Sequence, residues 1–205
     1  MTVKKMNSFF AGQIFWPAFF FLCLSGSVYA VSTTEGVYEH VHHTREEAID
    51  KIFGNGHRVS SSNFVVSSEQ KVAIESKLGW VLTQNEYVIW SVHSEKNTLL
   101  GYAIVLHELG KHQPITFLTA VTPSFKVKDF LLLVYREHRG DEVKKRRFRK
   151  QFWGLGRDDS MLIDIDIDGI TGATISCWSI AEGVKKALLL VEAYSNEIPK
   201  NKNDH

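Results

Sequence analysis

Cysteine is scarce in this sequence, which has only Cys23 and Cys177 among its 205 residues. Cys23 lies in an apolar N-terminal segment, so a mature chain without that segment would keep Cys177 alone and could form no internal disulfide. The stability of such a chain must come from packing. We therefore expect Cys177 to be a small buried apolar residue rather than a redox or intermolecular thiol.

The sequence also has no large excess of charge of either sign, because it contains 24 Lys and Arg residues and 23 Asp and Glu residues. This balance gives no general affinity for polyanions, and no nucleic-acid partner is expected. The interior of the chain has no apolar run long enough to predict a transmembrane helix. The 44% of hydrophobic residues is typical of a globular protein.

The N-terminus has the pattern of an export signal. Lys4 and Lys5 precede an apolar run of about 11 residues, and the small-residue segment SGSVYA then ends at Ala30. Residues 1–30 are therefore predicted to be a signal peptide, and the protein to be exported to a periplasm or a cell surface. An uncleaved N-terminus that holds the chain at a membrane is the alternative.

The rest of the chain carries helix signals at both ends and strand signals between them. Capping patterns predict helices over residues 44–53 and from Ser67 or Ser68 to Gly79, and the later sequence predicts helices over 141–152 and 176–194. Runs of β-forming residues predict strands over 87–92, 99–106, 115–121, 126–135 and 161–167. These neighbouring strands predict an α+β fold with a mainly antiparallel sheet flanked by helices, and a small helical N-terminal subdomain.

This pattern predicts four parts of the chain. They are the signal peptide (1–30), the N-terminal helical subdomain (31–79), a main domain (80–195) and a polar tail (196–205).

Outside the C-terminal half of the main domain, few side chains are candidate catalytic or ligand-binding residues. His40, His42 and His43 lie in a polar leader, and we predict no metal ligands. His107 and Glu108 are adjacent on a predicted strand and should point to opposite faces, so no catalytic residues are predicted. The basic run 144–150 is either a solvated helix face or a docking surface for an acidic redox partner.

The most informative stretch is IDIDIDGITGATISCW, residues 163–178. Its aspartates match the first, third and fifth positions of an EF-hand calcium loop, but Ile175 stands where that loop needs a bidentate Glu. The plainest interpretation is a strand, a turn and a helix. Ile163, Ile165 and Ile167 would then face the core, and Thr174 or Ser176 would cap the helix.

A third interpretation uses the same geometry for binding. Free backbone N–H groups at a helix N-terminus, together with nearby hydroxyls, suit an anionic group such as phosphate. Gly172 and Ala173 would allow the backbone to approach the ligand closely. No Lys follows the glycine, so a P-loop is excluded.

The segment Asp168 to Thr174, DGITGAT, resembles the flavinylation motif of the FMN-binding domain family. That family includes flavoprotein subunits of the Rnf and sodium-pumping NADH:quinone reductase complexes, and small exported flavoproteins. Its pattern is an Asp, then a Ser or Thr three positions later, then Gly-Ala-Thr. Asp168, Thr171, Gly172, Ala173 and Thr174 match these positions.

Other segments between about residues 80 and 195 are similar to the same family. They are the Gly-Tyr strand at 99–103, the strand at 115–121, the segment from Val134 to Gly140 that contains Glu137, and the Gln-Phe-Trp-Gly element that ends at Gly154. The Glu137 segment reads Glu-His-Arg-Gly and lacks the Thr-Pro-Gly of the respiratory subunits. The helical N-terminal part also resembles the extension of small exported members.

The resemblance implies that FMN is joined covalently to Thr174 by a phosphoester, which a dedicated FMN transferase makes after export. It also implies that Asp168 holds the turn or is read by the transferase, that Thr171 and Ser176 bond the turn or the phosphate, and that Glu137 belongs to the flavin pocket. Trp178, one turn past Thr174, is a candidate flavin contact.

The implied function is an electron carrier between a membrane reductase and an extracytoplasmic acceptor. Two alternatives are a non-redox binding module with a degenerate motif and a flavin reductase with its own small substrate.

Overall fold

The computed structural model describes residues 38–198. The predicted signal peptide and residues 199–205 of the predicted tail lie outside this part of the chain. Six strands form one sheet in the order β1-β6-β5-β4-β3-β2, and every neighbouring pair is antiparallel. The strands are β1 (His40–Val41), β2 (His57–Val65), β3 (Glu86–Ser94), β4 (Leu99–Leu109), β5 (Pro114–Val121) and β6 (Val127–Tyr135).

The helices are α1 (Arg45–Phe53), α2 (Ser68–Leu78), α3 (Arg146–Arg149) and α4 (Thr174–Glu197). Short 3-10 turns over Asp141–Lys144 and Lys150–Phe152 flank α3. The predicted α+β class with a mainly antiparallel sheet is therefore confirmed. Within residues 38–198, no helix has both the length and the hydropathy needed to cross a membrane.

The first two helices begin where their sequence signals place them. Thr44 and Glu47 form a capping box at α1, and Ser67 and Gln70 form another at α2. Gly79 ends α2 in the left-handed conformation, at φ 83°. The segment between the helices, however, forms strand β2, which pairs with β3 along its whole length. The proposed division of the chain at residues 79 and 80 stays a prediction.

The sheet is covered on both faces, which explains why β5 is buried almost throughout. On one face, Ala48 and Ile49 of α1 pack with Leu118, Leu131 and other side chains of the sheet. On the opposite face, α2 and α4 cover a larger cluster. Successive residues of a strand point to opposite faces, so neighbouring residues of β5 and β6 enter different clusters. Helix α4 is thereby fixed along the sheet, with its N-terminus near the 3-10 turn at 141–144.

The predicted fifth strand, 161–167, is wrong. These residues form a compact loop in which Ile163 and Ile167 are buried, while Ile165 is 77% exposed. Asp164 has φ 65°, a left-handed conformation that interrupts extended structure. The exposed Asp166 carboxylate accepts a hydrogen bond from the Leu162 N–H, at 2.9 Å, and so stabilises this loop.

Cys177 is fully buried in the cluster beneath α4, as expected from its place in the sequence. Burial raises the pKa of its thiol and so suppresses the reactive thiolate. We expect the folded protein to react with a thiol reagent such as DTNB only as fast as it unfolds, whereas denatured protein should react at once. Rapid reaction of the native, processed protein would contradict this expectation.

Candidate functional site

The site is built around the junction between the loop 153–173 and helix α4. Gly172 has φ 84°, and a Cβ placed on it would meet no atom within 4 Å, so only its backbone conformation calls for glycine. Ala173 is the N-cap residue of α4 and provides no side-chain cap. Thr174 is the first helical residue, so the expectation that Thr174 or Ser176 caps the helix is wrong.

The first turn of α4 has no acidic side chain of its own to compensate the helix dipole. The helix has 24 residues. The N–H groups of Thr174, Ile175 and Ser176 have no acceptor inside the helix, and they form the positive end of its dipole. The side chain of Thr174 lies at this end and is exposed. The junction therefore presents an accessible hydroxyl beside backbone groups that favour an anion.

Unlike the exposed Thr174, Ser176 is buried and its hydroxyl is hydrogen-bonded. Its side chain is buried, and its hydroxyl lies 2.8 Å from the Tyr135 hydroxyl. The Tyr135 hydroxyl also donates to the Arg139 carbonyl, at 2.5 Å. Burial raises the pKa of Tyr135, so this phenol stays protonated and keeps its donor. The pair fastens the first turn of α4 to the end of β6.

The side chain of Gln151, which no sequence pattern marks as a site residue, holds the backbone of Asp168. Gln151 Oε1 accepts from the Asp168 N–H at 2.8 Å, and Gln151 Nε2 donates to the Asp168 carbonyl at 3.2 Å. The amide of Gln151 thus pairs with Asp168 as a neighbouring strand would. The exposed side chains of Asp168 and Thr171 make no hydrogen bond with any described residue.

Replacing Gln151 should loosen this turn. We expect Gln151→Ala to lower the free energy of unfolding by about 1–2 kcal/mol, because two hydrogen bonds are lost at a partly buried position. The Asp168 amide should exchange with deuterium much faster in this variant. Lys150→Ala, which changes the exposed neighbouring residue, is the control and should leave Asp168 protected. If the Asp168 amide exchanges with deuterium equally slowly in Gln151→Ala, the hydrogen bonds between Gln151 and Asp168 do not form in solution.

A surface pocket of about 300 Å³ lies directly beside the motif. The motif contributes one wall, residues 168–171, and the helical turns after β6 contribute the other. That second wall includes the exposed Lys145 and Arg147. The Arg149 guanidinium is not free to contact a ligand in the pocket, because it pairs with the Asp129 carboxylate at 2.7 Å. The predicted basic helix 141–152 is therefore a set of short turns, in which only some of the cations face solvent.

Glu137 follows the end of β6 and supports the hairpin between β4 and β5. Its Oε1 accepts the backbone N–H groups of His112 and Gln113, at 2.6 and 3.1 Å. These residues form the turn between β4 and β5. Close by, the Ser179 hydroxyl of α4 donates to the Leu109 carbonyl at 2.6 Å. Glu137 therefore shapes the loops next to α4, and it does not line the pocket beside Asp168.

Two hydrophobic side chains of the first turns of α4 face solvent. Ile175 is 46% exposed and Trp178 is 44% exposed. Trp178 is four residues after Thr174, so the two side chains lie on the same side of the helix. An aromatic surface therefore lies next to the exposed hydroxyl, and flavin contact at Trp178 stays a prediction.

Calcium binding at the aspartate repeat finds no support in this geometry. Among the described residues, the one group of three or more potential metal-ligand side chains consists of His40, His42 and Asp141. Asp164, Asp166 and Asp168 are all exposed and do not form such a group.

A known protein family matches the part of the chain that contains the α4 junction. Residues 110–189 match the family model described as FMN-binding domain, and the segment 168–174 lies inside this match. A subunit of the proton-translocating ferredoxin:NAD(+) oxidoreductase complex of Clostridium ljungdahlii is 29% identical over 113 residues, which is 52% of this chain. The match spans 61% of that relative's length.

A solved structure also resembles this fold. The crystal structure of Shewanella oneidensis NqrC superposes with a TM-score of 0.50 and covers 77% of this chain and 89% of NqrC. At 14% sequence identity, this likeness supports the fold alone. The family match, which includes the resembling motif and its junction with α4, is independent of that superposition. Residues 110–189 of this chain are therefore similar to the FMN-binding domain family, and the DGITGAT segment lies inside this match.

Proposed function

We propose that this chain is an exported electron-transfer flavoprotein that carries FMN through a phosphoester to Thr174. The observation that carries the proposal is the exposed Thr174 hydroxyl at the first position of a helix without a side-chain cap. Within the family match, no other described feature combines an esterifiable oxygen with the DGITGAT motif and a helix N-terminus.

The residues around Thr174 fit the phosphate of FMN. A phosphodiester at the Thr174 oxygen would place one negative charge, shared by two non-bridging oxygens, near the N–H groups of the first turn, where the helix dipole stabilises it. The open space over Gly172 leaves room for such a group. Ser176 would not contact the phosphate directly through its bonded hydroxyl, and it would instead fix the turn that presents the N–H groups.

Asp168 and Thr171 fit recognition by an FMN transferase. Their side chains are exposed and unbonded among the described residues, while the Asp168 backbone is held in place by Gln151. A modifying enzyme can therefore reach these side chains. We therefore assign the Asp168 carboxylate to transferase recognition and its backbone to the shape of the turn.

Two neighbouring surfaces could support the flavin beyond its phosphate. The pocket beside residues 168–171 offers Lys145 and Arg147, and Trp178 offers an aromatic face. The isoalloxazine supplies the redox chemistry by accepting and passing on electrons, whereas the protein determines its orientation and accessibility. Glu137 contributes by holding the β4–β5 turn next to α4.

A covalent link is useful in an exported carrier. Free FMN outside the cytoplasm would be lost by dilution, whereas a tether keeps the flavin at an effective concentration on the order of millimolar beside its site. The predicted signal peptide agrees with this location. The clostridial relative belongs to a ferredoxin:NAD(+) oxidoreductase complex, and by analogy we propose membrane-bound or extracytoplasmic redox partners for this chain.

The mass of protein purified from its own host tests the proposal. We expect the intact mass to exceed that of the processed polypeptide by one FMN less one water, and the flavin to stay on the peptide that contains Thr174. Native protein without this added mass and without flavin fluorescence would refute the covalent carrier. Protein made without a transferase is an expected unmodified control.

The kinetics of flavin reoxidation distinguish an electron carrier from a reductase. For a carrier, the reduced flavin should be reoxidised rapidly only when a redox partner protein or membrane is added. Rapid reoxidation by a small organic substrate alone would favour the reductase alternative.

A further inference from the structure

We propose that His40, His42 and Asp141 form a binding site for one divalent first-row transition cation, represented here by Zn²⁺. One potential ligand atom from each residue lies within 4.8 Å of the other two. His42 Nε2 is 3.7 Å from Asp141 Oδ2. With metal bonds of about 2.0–2.2 Å, neighbouring ligands of a tetrahedral zinc ion lie roughly 3.4 Å apart, so small side-chain rotations would bring these atoms to bonding distance.

The His42 imidazole provides the second observation that points to a ligand. Its side chain is 9% exposed, and its Nε2 is buried without a hydrogen-bond partner among the described residues. Buried polar atoms normally have a partner, so an unpartnered nitrogen that faces a carboxylate needs an explanation. A metal ion between the two groups would satisfy both.

The scaffold brings the three ligands together from two directions. His40 and His42 are two residues apart along the β1 segment, so their side chains leave on the same side, and their rings lie 4.1 Å apart. β1 pairs with the end of β6, and the His42 N–H donates to the Leu133 carbonyl at 2.8 Å. Asp141 follows soon after β6, at the start of the 3-10 turn. The β1 segment and the 3-10 turn, which supply the three ligands, therefore both adjoin strand β6.

The ligand types select the class of cation. Two imidazoles and one carboxylate suit zinc, cobalt or iron(II), whereas magnesium and calcium prefer all-oxygen sites. Three protein ligands leave a fourth position for water or another small ligand. His43 does not join the group, because its ring lies 3.3 Å from the Lys51 ammonium.

Lys144 competes with a cation for the carboxylate. Its ammonium pairs with Asp141 Oδ2, and it would have to release that oxygen when a metal binds. The Lys144 side chain is 39% exposed and can turn into solvent. Removing this ammonium should therefore tighten metal binding, an effect that a purely structural role for Asp141 would not produce.

Metal titration of the full chain, purified without a histidine tag and stripped with a chelator, tests the site. We expect one equivalent of Zn²⁺ by calorimetry, and Co²⁺ should give the visible absorption of a tetrahedral nitrogen–oxygen site. His40→Ala, His42→Ala and Asp141→Asn should each weaken binding by at least about 100-fold, because each removes a direct ligand. Lys144→Ala should strengthen it by about two- to fivefold.

His43→Ala is the matched control, since it removes a neighbouring histidine outside the group and should leave the affinity unchanged. His40→Ala changes an exposed side chain and keeps the test valid if His42→Ala fails to fold. Absence of stoichiometric binding, or binding that survives His40→Ala and Asp141→Asn, would overturn the proposal. The flavin content is a separate measurement, and its outcome does not bear on this site.

Discussion

Thr174→Val should abolish covalent flavin completely. Valine has nearly the shape of threonine but lacks the oxygen through which the proposed phosphoester forms. Protein purified from its own host should lose the added mass of FMN less water and the yellow fluorescent band on a denaturing gel. The free energy of unfolding of the unmodified variant should stay within about 0.5 kcal/mol of that of the unmodified parent, because the Thr174 side chain is exposed.

Two further substitutions make the Thr174 test specific. Thr174→Ser keeps a hydroxyl at the same position and should retain covalent flavin. Thr171→Val alters the other threonine of the motif, and it should lower the yield of covalent flavin without moving the attachment site, since it changes recognition but not the ester oxygen. Covalent flavin in Thr174→Val, or its disappearance only in Thr171→Val, would place the link on another residue and refute our assignment.

The parts of the fold that the sequence predicted well are those controlled by local interactions. The capping boxes at Thr44 and Ser67 each join residues three apart, so short sequence patterns specify them. The predicted hairpin between β3 and β4 was confirmed across the turn that ends at Asn97, which has φ 69°. Strands β5 and β6 were predicted because both faces are buried, which requires nearly continuous apolar sequence.

Two errors in the predicted secondary structure, at β2 and at residues 161–167, also have physical causes. Strand β2 is mostly exposed and rich in serine, and its backbone bonds to β3 stabilise it more than its side chains do. No side-chain pattern could therefore reveal it. In residues 161–167 the alternation of Ile and Asp has two separate causes, namely the burial of Ile163 and Ile167 and the hydrogen bonds of Asp166 within the loop. Period-two alternation is typical of a strand, but here a loop produces it.

The candidate site shows the same division between local and distant interactions. The glycine turn and the apolar run after it predicted a helix from residue 176, two residues after its observed start at Thr174. The partners that fix this start are far away in sequence, because Tyr135 bonds Ser176 from β6 and Gln151 bonds Asp168 from a 3-10 turn. The Gln-Phe-Trp-Gly similarity was the one signal near Gln151, and it did not reveal the hydrogen bonds.

Gly140→Ala should destabilise the protein strongly and should act on the flavin site. Gly140 has φ 102°, a conformation that costs other residues roughly 1–3 kcal/mol. A Cβ at this position would lie 2.6 Å from Ser176 Oγ and closer still to the Tyr135 hydroxyl. Relieving that overlap requires the buried Tyr135–Ser176 contact to open, which costs about 1–3 kcal/mol more. We expect a total loss of about 2–6 kcal/mol, or a melting temperature lower by about 4–24 °C.

Gly154→Ala isolates the backbone contribution to this loss. Gly154 has φ 81°, and a Cβ placed there would meet no atom within 4 Å. This variant should lose only about 1–2 kcal/mol, the cost of a left-handed alanine. Thermal or urea unfolding of both variants measures the difference, and equal losses at the two positions would show that crowding around Tyr135 and Ser176 is unimportant.

A double-mutant cycle with Tyr135→Phe then tests the connection to helix α4. Removing the phenolic oxygen removes the nearest atom to the new Cβ, so Gly140→Ala should cost at least about 1 kcal/mol less in the Tyr135→Phe background. The same pair should be coupled in the yield of covalent flavin, because both changes reach Thr174 through the first turn of α4. Additive effects on stability would mean that Gly140 acts through its backbone alone, and the first turn of α4 would then owe its position to the sheet rather than to the Tyr135–Ser176 contact.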